Sequence, residues 1–172
     1  MEGHEPDLLV ASDGVSRTVN SVEQQIVDGV AQNGWYSVTY VPAPGDPEEW
    51  FTYTVGLTKT AGWPEIIVFG LDRDRSFQML HDTLHECWGR SAQPYDGMEL
   101  VEVLKGRSAR LRRVDGLTAP YFAMAEWYAQ HSGTPSLPER LQLMWPDENG
   151  RFPDDAECDA RVRELQTPRR AQ

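Results

Sequence analysis

Glu65-Ile-Ile-Val-Phe-Gly-Leu71 decides the fold, because its apolar residues follow one another without alternation, the pattern of a strand covered on both faces. Such a strand predicts the middle of a sheet. Just before it, Trp50-Phe-Thr-Tyr-Thr-Val-Gly-Leu57 does alternate, with Phe51, Tyr53, Val55 and Leu57 on one face and Thr52, Thr54 and Gly56 on the other. One side is expected to be packed; the other is small and polar and could floor a pocket. This strand is expected beside 65–71.

Upstream, Trp35 to Val41 is rich in aromatic and β-branched residues and stops at Pro42, which predicts a further strand followed by an exposed loop over 43–47. Ser21 with Gln24 forms a capping-box pattern, and Val22, Ile26, Val27 and Val30 repeat at helical spacing until Asn33-Gly34. Downstream, Asp72 or Asp74 can cap a helix whose apolar stripe is Phe77, Leu80, Leu84, Cys87 and Trp88. Met98–Leu104 and Ala109–Val114 read as a hairpin in which Glu99 and Glu102 oppose arginines. Thr118 and Pro120 open another helix carrying Tyr121, Ala125 and Tyr128. Leu141–Trp145 is a last strand, stopped by Pro146 and a turn over 147–150, and Asp154 or Asp155 caps a final helix to about residue 165. Hairpin-type neighbours outnumber strand–helix–strand crossovers. The expectation is therefore an α+β domain with a mixed or mostly antiparallel sheet of about six strands and about four helices.

The 172 residues suit one domain, expected over 19–165, with a flexible polar arm over 1–18 and a flexible basic tail over 166–172. A net charge of −11 repels polyanions, so nucleic acid is not an expected partner. No apolar run approaches the ~18 residues of a membrane span, and no membrane partner is expected. Cys87 and Cys158, with no apolar leader after Met1, fit a reducing compartment and a cytoplasmic protein.

Common catalytic motifs are missing: there is no G-x-S-x-G elbow, no phosphate-binding Walker loop and no G-x-G-x-x-G. No cofactor is expected. His81 and His85 stand at i and i+4, the spacing of a zinc-binding helix, but no third ligand follows at a recognised interval, and a metal is not expected. Cys87 falls within an apolar stripe near a helix end and Cys158 among carboxylates, so neither is expected to be a nucleophile. Lys105, Arg107, Arg110, Arg112 and Arg113 cluster on the hairpin; they either grip a phosphate or carboxylate or guard a charged sheet edge.

Three motifs, Tyr53-Thr-Val-Gly-Leu57, Gly62-Trp-Pro-Glu65 with its strand, and Leu141-Gln-Leu-Met-Trp-Pro-Asp-Glu-Asn-Gly-Arg-Phe-Pro153, resemble the bacterial family catalogued as domain of unknown function 4262. The resemblance spans roughly 34–155 and implies no reaction. Within it Tyr53, Thr54, Gly56, Trp63 and Trp145 are candidate walls of a small-ligand pocket, with Glu65 and Asp147 as candidate general bases. Gly56 and Gly70 also read as points of close backbone approach. The reading is a binding or accessory module for a small molecule or a protein; an enzyme using Glu65 or Asp147 is the alternative. A third reading is flavin or nucleotide binding, with rings stacked on aromatics and phosphate on the hairpin. The two distant motifs are expected to meet in one locality.

Overall fold

The apolar run at 65–69 becomes the third strand of a six-stranded sheet, with a neighbour on each side. The computed structural model describes residues 8–10, 16–44, 49–134 and 139–169. Along the chain come β1 (Leu8–Val10), β2 (Ser16–Thr18), α1 (Ser21–Asn33), β3 (Tyr36–Tyr40), β4 (Phe51–Val55), α2 (Leu57–Ala61), β5 (Glu65–Phe69) and α3 (Arg73–Gly89). Then follow β6 (Glu99–Leu104), β7 (Arg107–Arg113), α4 (Ala123–His131), β8 (Arg140–Met144) and α5 (Ala160–Leu165). The sheet order is β3-β4-β5-β8-β7-β6, antiparallel throughout except for the parallel pair β5 and β8. The fold is α+β with a mixed, mostly antiparallel sheet.

Both faces of the sheet are covered, as the non-alternating run requires. On one face Met79, Leu80, Leu84 and Cys87 of α3 pack on Ile66, Val68, Leu141, Leu143, Ala109 and Leu111. On the other, Ile26 and Val30 of α1 and Ala125 of α4 join Phe51, Tyr53, Val55, Ile67 and Phe69, with Tyr121 and Phe122 filling between. Each fully buried Val, Leu, Ile, Phe or Met among them contributes about 1.5–3 kcal/mol of transfer free energy. Thr52 and Thr54, expected to floor an open pocket, are wholly buried instead. A central position closes the small polar face of β4 as firmly as its apolar one.

Helix boundaries move where side-chain hydrogen bonds compete. The capping box of α1 is Asn20 with Glu23, one residue before the expected Ser21 and Gln24. The strand expected to run through Leu57 stops at Val55; Gly56, at φ +95°, turns the chain into the short helix α2, a fifth helix beyond the four expected. Helix α4 begins at Ala123 rather than near Thr118, because the preceding turn buries Tyr121 and Phe122 completely. Helix α5 starts after Asp159, not Asp154 or Asp155, since residues 153–158 are held in turns.

At the ends of the chain, the arm expected over 1–18 lies largely outside the described residues; within it β1 and β2 pair as a separate antiparallel sheet. The chain also stays packed past the domain boundary drawn at 165. Gln166 is fully buried, and the Arg169 amide donates to Glu49 Oε1 at 3.0 Å.

Candidate functional site

Glu65 opens β5 beneath the turn that leads from β4 into α2. Its carboxylate accepts from Thr54 Oγ1 at 2.6 Å and from the Thr58 amide at 3.1 Å, while Thr54 Oγ1 accepts from the Ile66 amide at 2.9 Å. Helix α2 has no side-chain cap of its own at Gly56, so Glu65 supplies the acceptor that its first turn lacks. Burial pushes the Glu65 carboxyl up to about 7, against the opposing pull of Thr54 and the amides of Thr58, Leu57 and Gly56. Burial, then the charge of Glu65, also raises the Tyr128 phenol. The space shared by Glu65, Tyr128, Ala125 and Ala129 admits no water-sized sphere.

Asp147 is spent in a similar way. Its Oδ1 accepts from the amides of Asn149 and Arg151, and its Oδ2 from the Asp159 amide, each at 2.9 Å. The Arg151 and Asp159 amides hold its carboxyl below the ordinary carboxylate range. This side chain ties the loop after β8 to the start of α5. Just before it, Trp145 is fixed on every polar side: its Nε1–H donates to the Phe69 carbonyl at 2.9 Å, its amide donates to Gln166 Oε1 at 3.0 Å, and its carbonyl accepts from Gln166 Nε2 at 2.8 Å. Gln166 thus imitates a paired strand edge.

The two motifs meet as the paired strands β5 and β8, but strand direction separates the residues expected to share one site there. Parallel register sets Glu65 beside Arg140, and the step from Arg140 to Trp145 spans about 17 Å at ~3.3 Å per residue. Trp63 and Glu65 therefore lie at one end of the sheet, Trp145 and Asp147 at the other. Tyr53 is apart from both: it sits in the core under α1 and α4, its hydroxyl accepts from the Met124 amide at 3.1 Å, and burial raises its phenol to about 12. Gly56 is a point of close approach, because a Cβ there would lie 2.7 Å from Val30, and Gly70 likewise meets Leu165 at 2.8 Å. Trp63 packs on Trp88, with ring centroids 5.0 Å apart.

Alternation also divides the basic hairpin. Arg107 shares the α3 side of β7 with buried Ala109 and Leu111, whereas Arg110 and Arg112 point to the opposite side. Arg110 pairs with Glu99 at 3.2 Å and lies over the Phe152 ring, and Arg112 donates to Gln142 Oε1 at 3.0 Å. Lys105 is exposed in the turn. The guarded-edge reading describes Arg110; it does not describe Arg107.

Two open concavities flank α3. A groove of about 400 Å³ is walled by Leu71, Met79, Val103, Leu104, Trp145 and Pro146, with Arg75, Gln78 and Arg107 at its polar margin. It lies beyond the carboxyl ends of β5 and β8, the parallel pair, where strand ends and the loops leaving them form a natural crevice. Trp145 and Arg107, named for different reasons in the sequence, come together here. Arg75 and Gln78 carried no expected role, although they follow closely on the strand expected to be central, and that position was the available signal; Leu71 was expected only as the last residue of that strand, which ends at Phe69. The second concavity, about 440 Å³, lies between α3 and β3 and is lined by Trp35, Phe77, His81, His85 and Trp88 among others. Phe77 and Trp88, expected in the buried stripe of α3, are 43% and 46% exposed because they stand at its margin. His81 and His85 face this cleft, and no group of three His, Cys, Asp or Glu side chains suited to a metal forms among the described residues. The stacked rings of the cleft and Arg107 of the groove thus lie on opposite flanks of α3, and Trp145 is the aromatic that shares the groove with Arg107. Both cysteines are buried; burial raises the Cys87 thiol to about 11 and is the largest cause of the upward shift at Cys158, ahead of Asp147.

No helix among the described residues is long and apolar enough to cross a membrane. Neither the curated proteins nor the solved structures provide a match to this chain. A family model described as "Domain of unknown function (DUF4262)" matches residues 29–159, a span that contains every strand of the main sheet and the lining of both concavities. With most of its length matched, the chain belongs to the DUF4262 family.

Proposed function

We propose that this protein is a binding module for a small organic anion with an apolar body, held in the groove between α3 and the β6–β7 turn. The observation that carries this reading is the convergence of Trp145, Arg107 and Arg75 on one concavity at the carboxyl ends of the parallel strands. Its volume of about 400 Å³ falls within the ~300–1,000 Å³ usual for small-molecule sites. Arg107 uses one nitrogen on the Asp147 carbonyl at 3.0 Å, which fixes the guanidinium and leaves the rest of its donor fork for a carboxylate or phosphate. Arg75 is bound only loosely, at 3.7 Å from Asp72, and can turn toward the same anion. Trp145, its indole N–H already engaged, offers an oriented ring face to the ligand's body. Binding is favoured over catalysis because Glu65 and Asp147 have their oxygens committed to internal donors.

Calorimetric titration with phenyl phosphate tests the reading, with inorganic phosphate and phenol as partial ligands. Saturable binding of phenyl phosphate, weaker for each partial ligand and lost in Arg107→Gln without a change in melting temperature, is the expected result. Binding that Arg107→Gln leaves intact, or no saturable binding, contradicts it.

A further inference from the structure

We propose that the cleft between α3 and the edge strand β3 is a second ligand site, independent of the groove, which accepts a flat, uncharged heteroaromatic ring. The basis is a stepped series of side-chain rings. Trp35 and Phe77 stack with centroids 5.6 Å apart and planes 13° apart, Phe77 and His81 at 6.0 Å and 29°, and His81 and His85 at 6.4 Å and 17°. Phe77, His81, His85 and Trp88 fall within about 80° of one another around α3 at ~100° per residue, an arc whose one other residue is the exposed Asp74 of the first turn. Arg75 and Met79, which line the groove, project from the opposite flank.

Exposure makes this more than a core margin. Phe77 and Trp88 are 43% and 46% exposed, and both open onto the same hollow of about 440 Å³. Large apolar surface gathered in a concavity marks a binding surface more strongly than the same residues scattered singly. The chemistry of the lining narrows the class of ligand. Among the described residues its lining carries no Lys, Arg, Asp or Glu, so no fixed charge there compensates an ionised ligand group, in contrast to the groove. Polar atoms come from Asn33, Ser37 and the imidazoles of His81 and His85, which can donate to or accept from the edge of a heterocycle. Near-parallel rings offer their faces, and a flat ring gains offset stacking that a puckered ring of equal volume does not.

The test is titration of the full chain with adenine, indole and riboflavin, followed by intrinsic tryptophan fluorescence and by calorimetry, with cyclohexanol as a non-planar control. The expected result is saturable binding of at least one planar probe, none of cyclohexanol, and an affinity loss of tenfold or more in both Phe77→Ala and His85→Ala. His85 is exposed, so His85→Ala should leave the melting temperature unchanged and serves as the control for Phe77→Ala, which also removes the stack on buried Trp35, and Arg107→Gln should leave this binding untouched. Absence of saturable binding for all three planar probes overturns the proposal, as does equal binding of cyclohexanol or full affinity in the Phe77→Ala and His85→Ala variants. Failure of the anion site alone would show as lost phenyl phosphate binding with these planar-probe titrations intact.

Discussion

Replacing Glu65 by Gln should change how stability depends on pH more than it changes stability itself. The carboxyl is fully enclosed, and its folded value of about 7 lies above the ordinary 4.5. A raised carboxyl binds its proton more tightly in the folded state, so its contribution is complete below about 4.5 and is lost as pH rises through about 7. Across that interval the loss is about 3 kcal/mol at ~1.4 kcal/mol per pH unit. Glutamine keeps the shape and can still accept from the Thr58 amide, but its NH₂ group faces Thr54 Oγ1, which can no longer donate there. That mismatch should cost about 1–3 kcal/mol at every pH. The variant is therefore expected to be less stable than wild type at pH 5 and to equal or exceed it at pH 8. Urea unfolding of both proteins at half-unit steps between these limits measures the difference, and the other titrating groups cancel in the comparison. Parallel stability curves would show that Glu65 does not titrate in this range, and the enclosure argument would fail.

Asp147 should behave in the opposite sense. Its depressed carboxyl contributes stability above the unfolded value that is lost as pH falls, so Asp147→Asn should lower the melting temperature at pH 7 and the gap should close toward pH 3. Gly56→Ala should destabilise by about 2 to 6 kcal/mol in chemical denaturation, combining a strained positive φ with overpacking against Val30; a loss below about 0.5 kcal/mol would contradict the close approach. Cys87, buried and with a raised thiol, should resist iodoacetamide in the native protein and react once unfolded, as read by mass spectrometry, whereas rapid native labelling would show that the α3 face opens.

The sheet was legible because its decisive signals are local. A run such as Ile66 to Phe69 can be satisfied only by cover on both faces, and the hairpin over 99–113 announces itself by its turn. Caps were legible only to within a residue, since Asn20 with Glu23 and Ser21 with Gln24 are chemically equivalent offers and packing chooses between them. Strand direction was not legible. Nothing in either motif states that β5 and β8 run parallel, yet that one fact sends Glu65 and Trp145 to opposite ends of the sheet. The division of the hairpin arginines follows from register in the same way: Arg107 and Arg112 differ by an odd step, so they cannot share a face. Gln166 was hidden for another reason. A glutamine in a polar tail carries no sign that its amide will clamp the backbone of a tryptophan in a distant strand end.

The groove is tested most directly by the indole N–H resonances of the six tryptophans in a two-dimensional ¹H–¹⁵N spectrum during titration with phenyl phosphate. Trp145 lines the groove, whereas Trp35 and Trp88 line the cleft on the far flank of α3. The expected result is a saturable shift of the Trp145 indole peak, assigned by Trp145→Phe, with Trp35 and Trp88 unmoved. A saturable shift confined to Trp35 and Trp88, or none at all, would contradict an anion site at the carboxyl ends of β5 and β8.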